Sequence, residues 1–173
     1  MRSLSALKFV AGLAATILLR LVQAVPNVEP IMGIGLPYSK AFGAVAGFAF
    51  AFLSLVSFDF ISGRLGLWTV YCGLAYGAIG FFAANYLRSK NGRMHYAAYS
   101  FTATIAYDAV TAFLFGLQFN QPLAVTFVGQ VPFTLYHLIG NVSLSAIISP
   151  LIYAHFLAEP ETRVAKNVVE TVH

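Results

Sequence analysis

Glu29-Pro30-Ile31-Met32-Gly33-Ile34-Gly35-Leu36-Pro37-Tyr38-Ser39-Lys40 is the stretch on which the fold turns. Its apolar part, Ile31 to Ser39, is short for a membrane crossing, which takes ~20 residues as a helix. Read as a separate element, it gives the chain six crossings. Joined to the apolar run that begins at Ala41, it gives one long tilted helix and five crossings. The basic residues decide between them. With six crossings and both ends inside, Arg2, Lys8, Lys40, Arg88, Lys90, Arg93, Arg163 and Lys166 are cytoplasmic. Only Arg64 then lies in an outer loop, and Arg20 lies within a span. Five crossings split the basic groups between the two sides. The excess of Lys and Arg in cytoplasmic loops therefore favours six.

Composition sets the class. The 173 residues are 59% hydrophobic and 9% charged, with a mean hydropathy of +0.78. An ordinary globular chain carries roughly 25% charged residues. The expectation is an all-α membrane protein, a compact bundle of about six transmembrane helices over residues 1–158, followed by a polar tail over 159–173. A net charge of +4 would point to nucleic acid in a water-soluble chain. Here the basic residues cluster at the ends of apolar runs, where they set orientation. Membrane lipid, and no nucleic acid, is the expected surrounding. Cys72 is the single cysteine, so no intrachain disulfide or cysteine metal cluster can form.

Proline, glycine and charge punctuate the rest of the chain. The first helix is expected from Ser5 to Val25, stopped by Pro26-Asn27. Arg2 and Lys8 before an apolar run, with Val22-Gln23-Ala24 after it, also resemble a cleavable signal peptide. The run continues past Arg20 to Val25, which favours a retained helix. The third helix is expected over Ala41–Ile61, the fourth over Leu65–Leu87 and the fifth over Tyr96–Leu117. A last apolar stretch reaches Ala158, with Pro132 marking a helix start within it and Pro150 a kink.

Glu29, Asp59 and Asp108 are the only carboxylates among the first 158 residues. An ionised group inside hydrocarbon costs at least ~2.5–3.5 kcal/mol, so Asp108 needs a partner or water. Arg20 is the expected partner. Following the helices up and down, Arg20, Asn27, Glu29, Trp68, Asp108, Gln130, Tyr136, His137 and Asn141 converge on the outer half of the bundle as a substrate-binding set. His137 and Asn141 are four apart and share a helix face. Asp59 and Glu29 sit near a membrane boundary, where solvated carboxylates cost little, and Trp68 fits an interfacial belt as well as a stacking surface. Ala11 and Ala15, Gly43, Gly47 and Ala51, and Gly73 with Gly77 form stripes of small residues that let helices approach closely. The Ala11–Ala15 stripe is also a candidate contact for a second membrane protein. No zinc-protease motif, phosphate-binding glycine loop or nucleophile elbow is present, so neither catalysis nor a cofactor or metal is expected.

The Pro26-Asn27-Val28-Glu29-Pro30-Ile31 stretch, Pro132-Phe133-Thr134-Leu135-Tyr136-His137 with Asn141, and the Ala11-x-x-x-Ala15 spacing resemble the substrate-binding S component of energy-coupling factor (ECF) vitamin transporters. The resemblance covers about six helices over nearly the whole length. It implies a binder of a vitamin or similar organic micronutrient, with a pocket near the outer face. It also implies a transmembrane T component, contacted through Ala11 and Ala15, and two ATPase subunits that energise the cycle in the plasma membrane. Metal-transporting relatives carry a histidine beside the amino terminus. Met1-Arg2-Ser3 has none, so an organic ligand is expected. Two other readings compete: a structural or assembly membrane protein whose polar residues only join helices, and an intramembrane enzyme using Asp108 and His137. The last requires those two side chains within hydrogen-bond reach of each other.

Overall fold

The computed structural model describes residues 2–22 and 28–158. Asn27, the Val22-Gln23-Ala24 triplet beyond Val22 and the tail over 159–173 lie outside the described residues. Six α-helices follow one another: α1 (Arg2–Leu21), α2 (Pro30–Phe42), α3 (Ala44–Ile61), α4 (Leu67–Leu87), α5 (Arg93–Gln118) and α6 (Leu123–Ile152). A π-helical turn, Tyr153–Leu157, continues α6 just beyond Pro150. Five of the helices, all but α2, are long and apolar enough to cross a membrane.

The separate existence of α2 settles the question posed by the opening stretch. Gly43, with φ of 89°, takes a backbone conformation that L-residues rarely adopt and breaks the chain between α2 and α3. The two helices fold back on each other: Gly35 packs on Phe50, and Ser39 packs on Gly47. One long helix over 31–61 is therefore ruled out. At 13 residues, α2 is ~20 Å long, against ~30 Å of bilayer hydrocarbon. Every residue from Ile31 to Ser39 is buried. The second element is thus a short helix inside the bundle, and lipid-length crossings are left to the other five.

Around α2 the molecule is sorted by polarity in the sense expected of a bundle in lipid. Val10, Val45, Phe60, Phe82, Val128 and Ile139 point outward and are more than half exposed. Inside lie Thr16, Ser39, Ser54, Ser100, Thr104, Asp108, Asn141, Ser145 and Ser149, all at most 2% exposed. Several of these hydroxyls bond the carbonyl one turn back, as Thr16 does to Gly12, Ser39 to Gly35 and Ser54 to Phe50.

Pro132 does not start a helix. It lies inside α6, whose start is instead set by Pro122 as N-cap, after Asn120 turns the chain at φ of 51°. Proline at a helix start removes no intrahelical bond, which makes Pro122 the cheaper terminus. The loss at Pro132 is confined to one bond in a 30-residue helix.

The two ends of the bundle differ in chemistry. At one end, Lys40 Nζ bonds the Lys90 carbonyl and Asn91 Oδ1 and sits 4.3 Å from the Tyr153 ring centre. Lys8 reaches the Phe156 ring at the same end, and Tyr38 donates its hydroxyl to the Lys8 carbonyl. The opposite end holds Arg20, Glu29, Asp59 and the α3–α4 and α5–α6 turns.

Close approach of α3 and α4 depends on two glycines. A methyl group added to Gly80 would drive into the Gly47 carbonyl, and one added to Gly77 would strike the Phe48 ring. Overpacking of this kind costs typically ~1–3 kcal/mol. Gly80→Val is therefore expected to lower the thermal midpoint of the detergent-purified protein. Ala78→Val, at a half-buried position on the same helix, is the control expected to shift it less.

Candidate ligand cavity

The residues at the polar end enclose a cavity of about 620 Å³. Its walls come from α1, α2 and all four longer helices. Arg20 ends α1 and Glu29 precedes α2. Leu55, Phe58 and Asp59 close α3, Arg64 and Trp68 flank the α3–α4 turn, and Cys72 lies one turn into α4. Tyr107, Asp108, Thr111 and Phe115 come from α5, and Gln130, Phe133 and His137 from α6.

Three polar clusters line these walls. In the first, Arg20 Nη2 meets Glu29 Oε1 at 2.8 Å, and Tyr76 donates its hydroxyl to Glu29 Oε2 at 2.9 Å. The guanidinium also lies 4.1 Å from the Phe58 ring centre, a cation–π contact that a desolvated site strengthens. In the second, Asp108 Oδ1 and His137 Nδ1 are 2.7 Å apart. A carboxylate only accepts, so Nδ1 carries the proton in this contact. Tyr107 packs its ring edgewise on His137 and against Tyr76, tying the two clusters together. In the third, Thr69 donates its hydroxyl to Asp59 Oδ2 at 2.7 Å and accepts the Gly66 amide. This fixes the turn that carries Arg64.

The site differs from the sequence expectation at several points. Arg20, Glu29, Trp68, Asp108, Gln130 and His137 are brought together on one cavity. Arg20, however, pairs with Glu29, and Asp108 pairs with His137. The connection between α1 and α2 returns Glu29 to the end of the helix it left, closer to Arg20 than α5 comes. Glu29 and Asp59 are not freely solvated: the Glu29 side chain is 16% exposed in its ion pair, and Asp59 is buried on Thr69. Tyr136, 54% exposed, points away from the cavity, because one residue on a helix rotates by ~100° from its neighbour His137. Asn141 lies one turn beyond the cavity and donates Nδ2 to Thr104 Oγ1 at 3.1 Å. Ala11 and Ala15 are exposed on the outward face of α1, whose inward face carries Gly12 and Thr16.

Phe58, Arg64, Tyr107, Phe115 and Phe133 also line the cavity and were not singled out by sequence. Thr69, Cys72 and Tyr76 recur at helical spacing on one face of α4 and are all buried. That stripe of partly polar residues was the available signal for the wall facing Asp59 and Glu29. Among the described residues, no three His, Cys, Asp or Glu side chains come close enough to hold a metal ion.

Chemically the cavity is amphiphilic, with aromatic walls, two guanidinium groups and three carboxylates. Two nitrogens of Arg20, Nε and Nη1, and Asp108 Oδ2 are buried with no hydrogen-bond partner. Buried polar atoms in folded proteins are almost always paired, so these atoms mark where a ligand or water completes the site. Within the wall itself, Tyr76→Phe removes the hydroxyl that Glu29 Oε2 accepts. Hydrogen bonds to charged groups contribute about 1.5–3 kcal/mol. Chemical denaturation in detergent is expected to show a loss in that range, with the fold retained.

Comparison with known protein families, with curated proteins and with solved structures finds no match to this chain.

Proposed function

We propose that the chain is the substrate-binding membrane subunit of an ECF-type importer for a small organic micronutrient, a vitamin or its precursor. The observation that carries the reading is the cavity of about 620 Å³ with charged and aromatic walls and unpartnered buried atoms. Its size falls among the ~300–1,000 Å³ of small-molecule pockets. Polar residues that only joined helices would have their partners across the interface, and Arg20 and Asp108 keep atoms without one.

The membrane orientation follows from charge. Lys8, Lys40, Arg88, Lys90 and Arg93 belong to the end opposite the cavity, and the positive-inside bias puts that end in the cytoplasm. The cavity then opens to the exterior of the plasma membrane, with both termini cytoplasmic. Arg64, the one basic residue at an outer turn, lines the cavity. Ala11 and Ala15, exposed on α1, are free to meet the transmembrane T component that two ATPase subunits would drive.

One observation favours a second reading. Asp108 and His137 are in hydrogen-bond contact on the cavity wall, the geometry an acid–base pair requires. An intramembrane enzyme would convert the bound compound, whereas a binding subunit returns it unchanged.

Native mass spectrometry of the protein purified from its own membrane, followed by thermal-shift screening of vitamins and precursors, tests the proposal. A bound organic compound recovered intact supports it. Absence of any ligand together with no thermal shift sinks it, and a compound recovered chemically altered favours the enzyme. Gln130 has no side-chain bond in the protein and is half-buried on the wall. Gln130→Ala is expected to weaken ligand binding about fivefold, near 1 kcal/mol. The thermal midpoint of the ligand-free protein should not move.

A further inference from the structure

Below the cavity, the interface of α5 and α6 is polar in every layer. On α5, Tyr96, Ser100, Thr104 and Asp108 recur every fourth residue. On α6, His137, Asn141, Ser145 and Ser149 do the same. All eight are buried, seven of them at most 2% exposed and His137 8%. The helices are antiparallel, and two contacts fix their register: Asp108 with His137 at 2.7 Å, and Thr104 with Asn141 at 3.1 Å. The same register sets Ser100 opposite Ser145 and Tyr96 opposite Ser149. Contacts to α2 agree, since Ser100 reaches Met32 and Ser149 reaches the carbonyl of neighbouring Gly33.

Each of the four layers contains one buried polar atom with no partner: Asp108 Oδ2, Asn141 Oδ1, Ser145 Oγ and Tyr96 Oη. Helix-joining polar residues bond each other, and a seam serving only that purpose would not leave one atom free in every turn. Successive layers are ~6 Å apart along the axis. That is close to the span of one water molecule bridging two groups through hydrogen bonds of ~2.8–2.9 Å each. Oxygen ligands of a single cation lie within ~2.3–2.6 Å of it, so atoms a full turn apart are too distant to share an ion.

We propose that this seam is a proton pathway: a file of water molecules between α5 and α6 connecting the Asp108–His137 pair at the cavity to the basic end of the bundle. Asp108 Oδ1 already accepts the His137 proton, which leaves Oδ2 to exchange a proton with the first water. Each oxygen along the file takes a proton from one neighbour and releases its own to the next. One proton enters and one leaves, only O–H bonds are made and broken, and nothing is oxidised. Asn141 and Ser145 hold and orient the waters, and the Tyr96 hydroxyl, three residues from Arg93 at the start of α5, takes the proton to the far end. The Ser100 and Thr104 hydroxyls face Met32 Sδ at 3.5 and 3.6 Å. Sulfur there has no proton to pass on, so the relay follows the α6 side. The pathway requires that the bundle sit in a bilayer and is independent of the cavity's ligand.

The test is proton flux into vesicles of phosphatidylethanolamine and phosphatidylglycerol containing the full-length protein and internal pyranine, driven by a valinomycin potassium potential. The wild-type protein is expected to acidify the interior several-fold faster than protein-free vesicles. Tyr96→Phe and Ser145→Ala remove only atoms that have no partner in the protein. They are expected to cut the protein-dependent flux about tenfold, equivalent to ~1.4 kcal/mol of barrier, while leaving thermal stability unchanged or raised. Asn141→Leu, which interrupts the middle of the file, should abolish it. Wild-type flux no faster than that of protein-free vesicles overturns the proposal, and so does a wild-type flux that Tyr96→Phe and Ser145→Ala leave intact.

Discussion

Complete burial of α2 is the constraint from which the rest of the structure follows. In hydrocarbon, a helix satisfies its own backbone, but its ends and polar side chains must find partners in protein. A helix of ~20 Å ends inside a ~30 Å layer, so α2 is tolerated only where other helices enclose it. Its surroundings answer its chemistry point by point. Tyr38 reaches the backbone of α1, Ser149 of α6 bonds the Gly33 carbonyl, and hydroxyls from α5 face Met32. At its two ends the groups are charged, with Glu29 held by Arg20 and Tyr76, and Lys40 by the turn between α4 and α5.

The cavity is a consequence of the same arrangement. Because α2 starts at Pro30, below the level that the longer helices reach, space is left above it that α3 to α6 wall in. The residue just before the helix, Glu29, reaches into that space. Charge is tolerated there because each buried group has a counterpart, and a buried pair broken on one side costs several kcal/mol. The aromatic rings of Phe58, Tyr107 and Phe115 supply the remainder of the wall. A pocket of this composition suits a ligand that is flat and apolar over most of its surface and polar at its edges.

Much of this was legible in the sequence. Five of the helices were readable from apolar runs bounded by Pro26, Ser62-Gly63, the basic loop before Arg93 and Gln121-Pro122. Distinguishing α2 from α3 rested on charge alone, and Gly43 carried the physical reason. Pro132 misled because proline inside a long helix and proline at a helix start look alike in one dimension, and Pro122 held the terminus. Depth and end were also readable, which is why Arg20, Glu29, Asp108 and His137 were grouped correctly. What sequence could not supply was azimuth between helices. Arg20 was therefore assigned to Asp108 when the returning chain gave it Glu29, and Tyr136 was included although it faces outward. The α5–α6 polar stripes were visible as spacings, but their register required the Thr104–Asn141 and Asp108–His137 contacts.

The hairpin at Gly43 bears on how the molecule is assembled. A segment with no lipid-facing side cannot be stabilised by lipid, so α2 gains nothing from partitioning into the bilayer ahead of its neighbours. Its nine buried residues find partners only after α4 and α6 have been synthesised, more than a hundred residues of chain after Gly33. Biogenesis must therefore hold the early hairpin in an unfinished state and complete the centre of the protein last, from the outside inward.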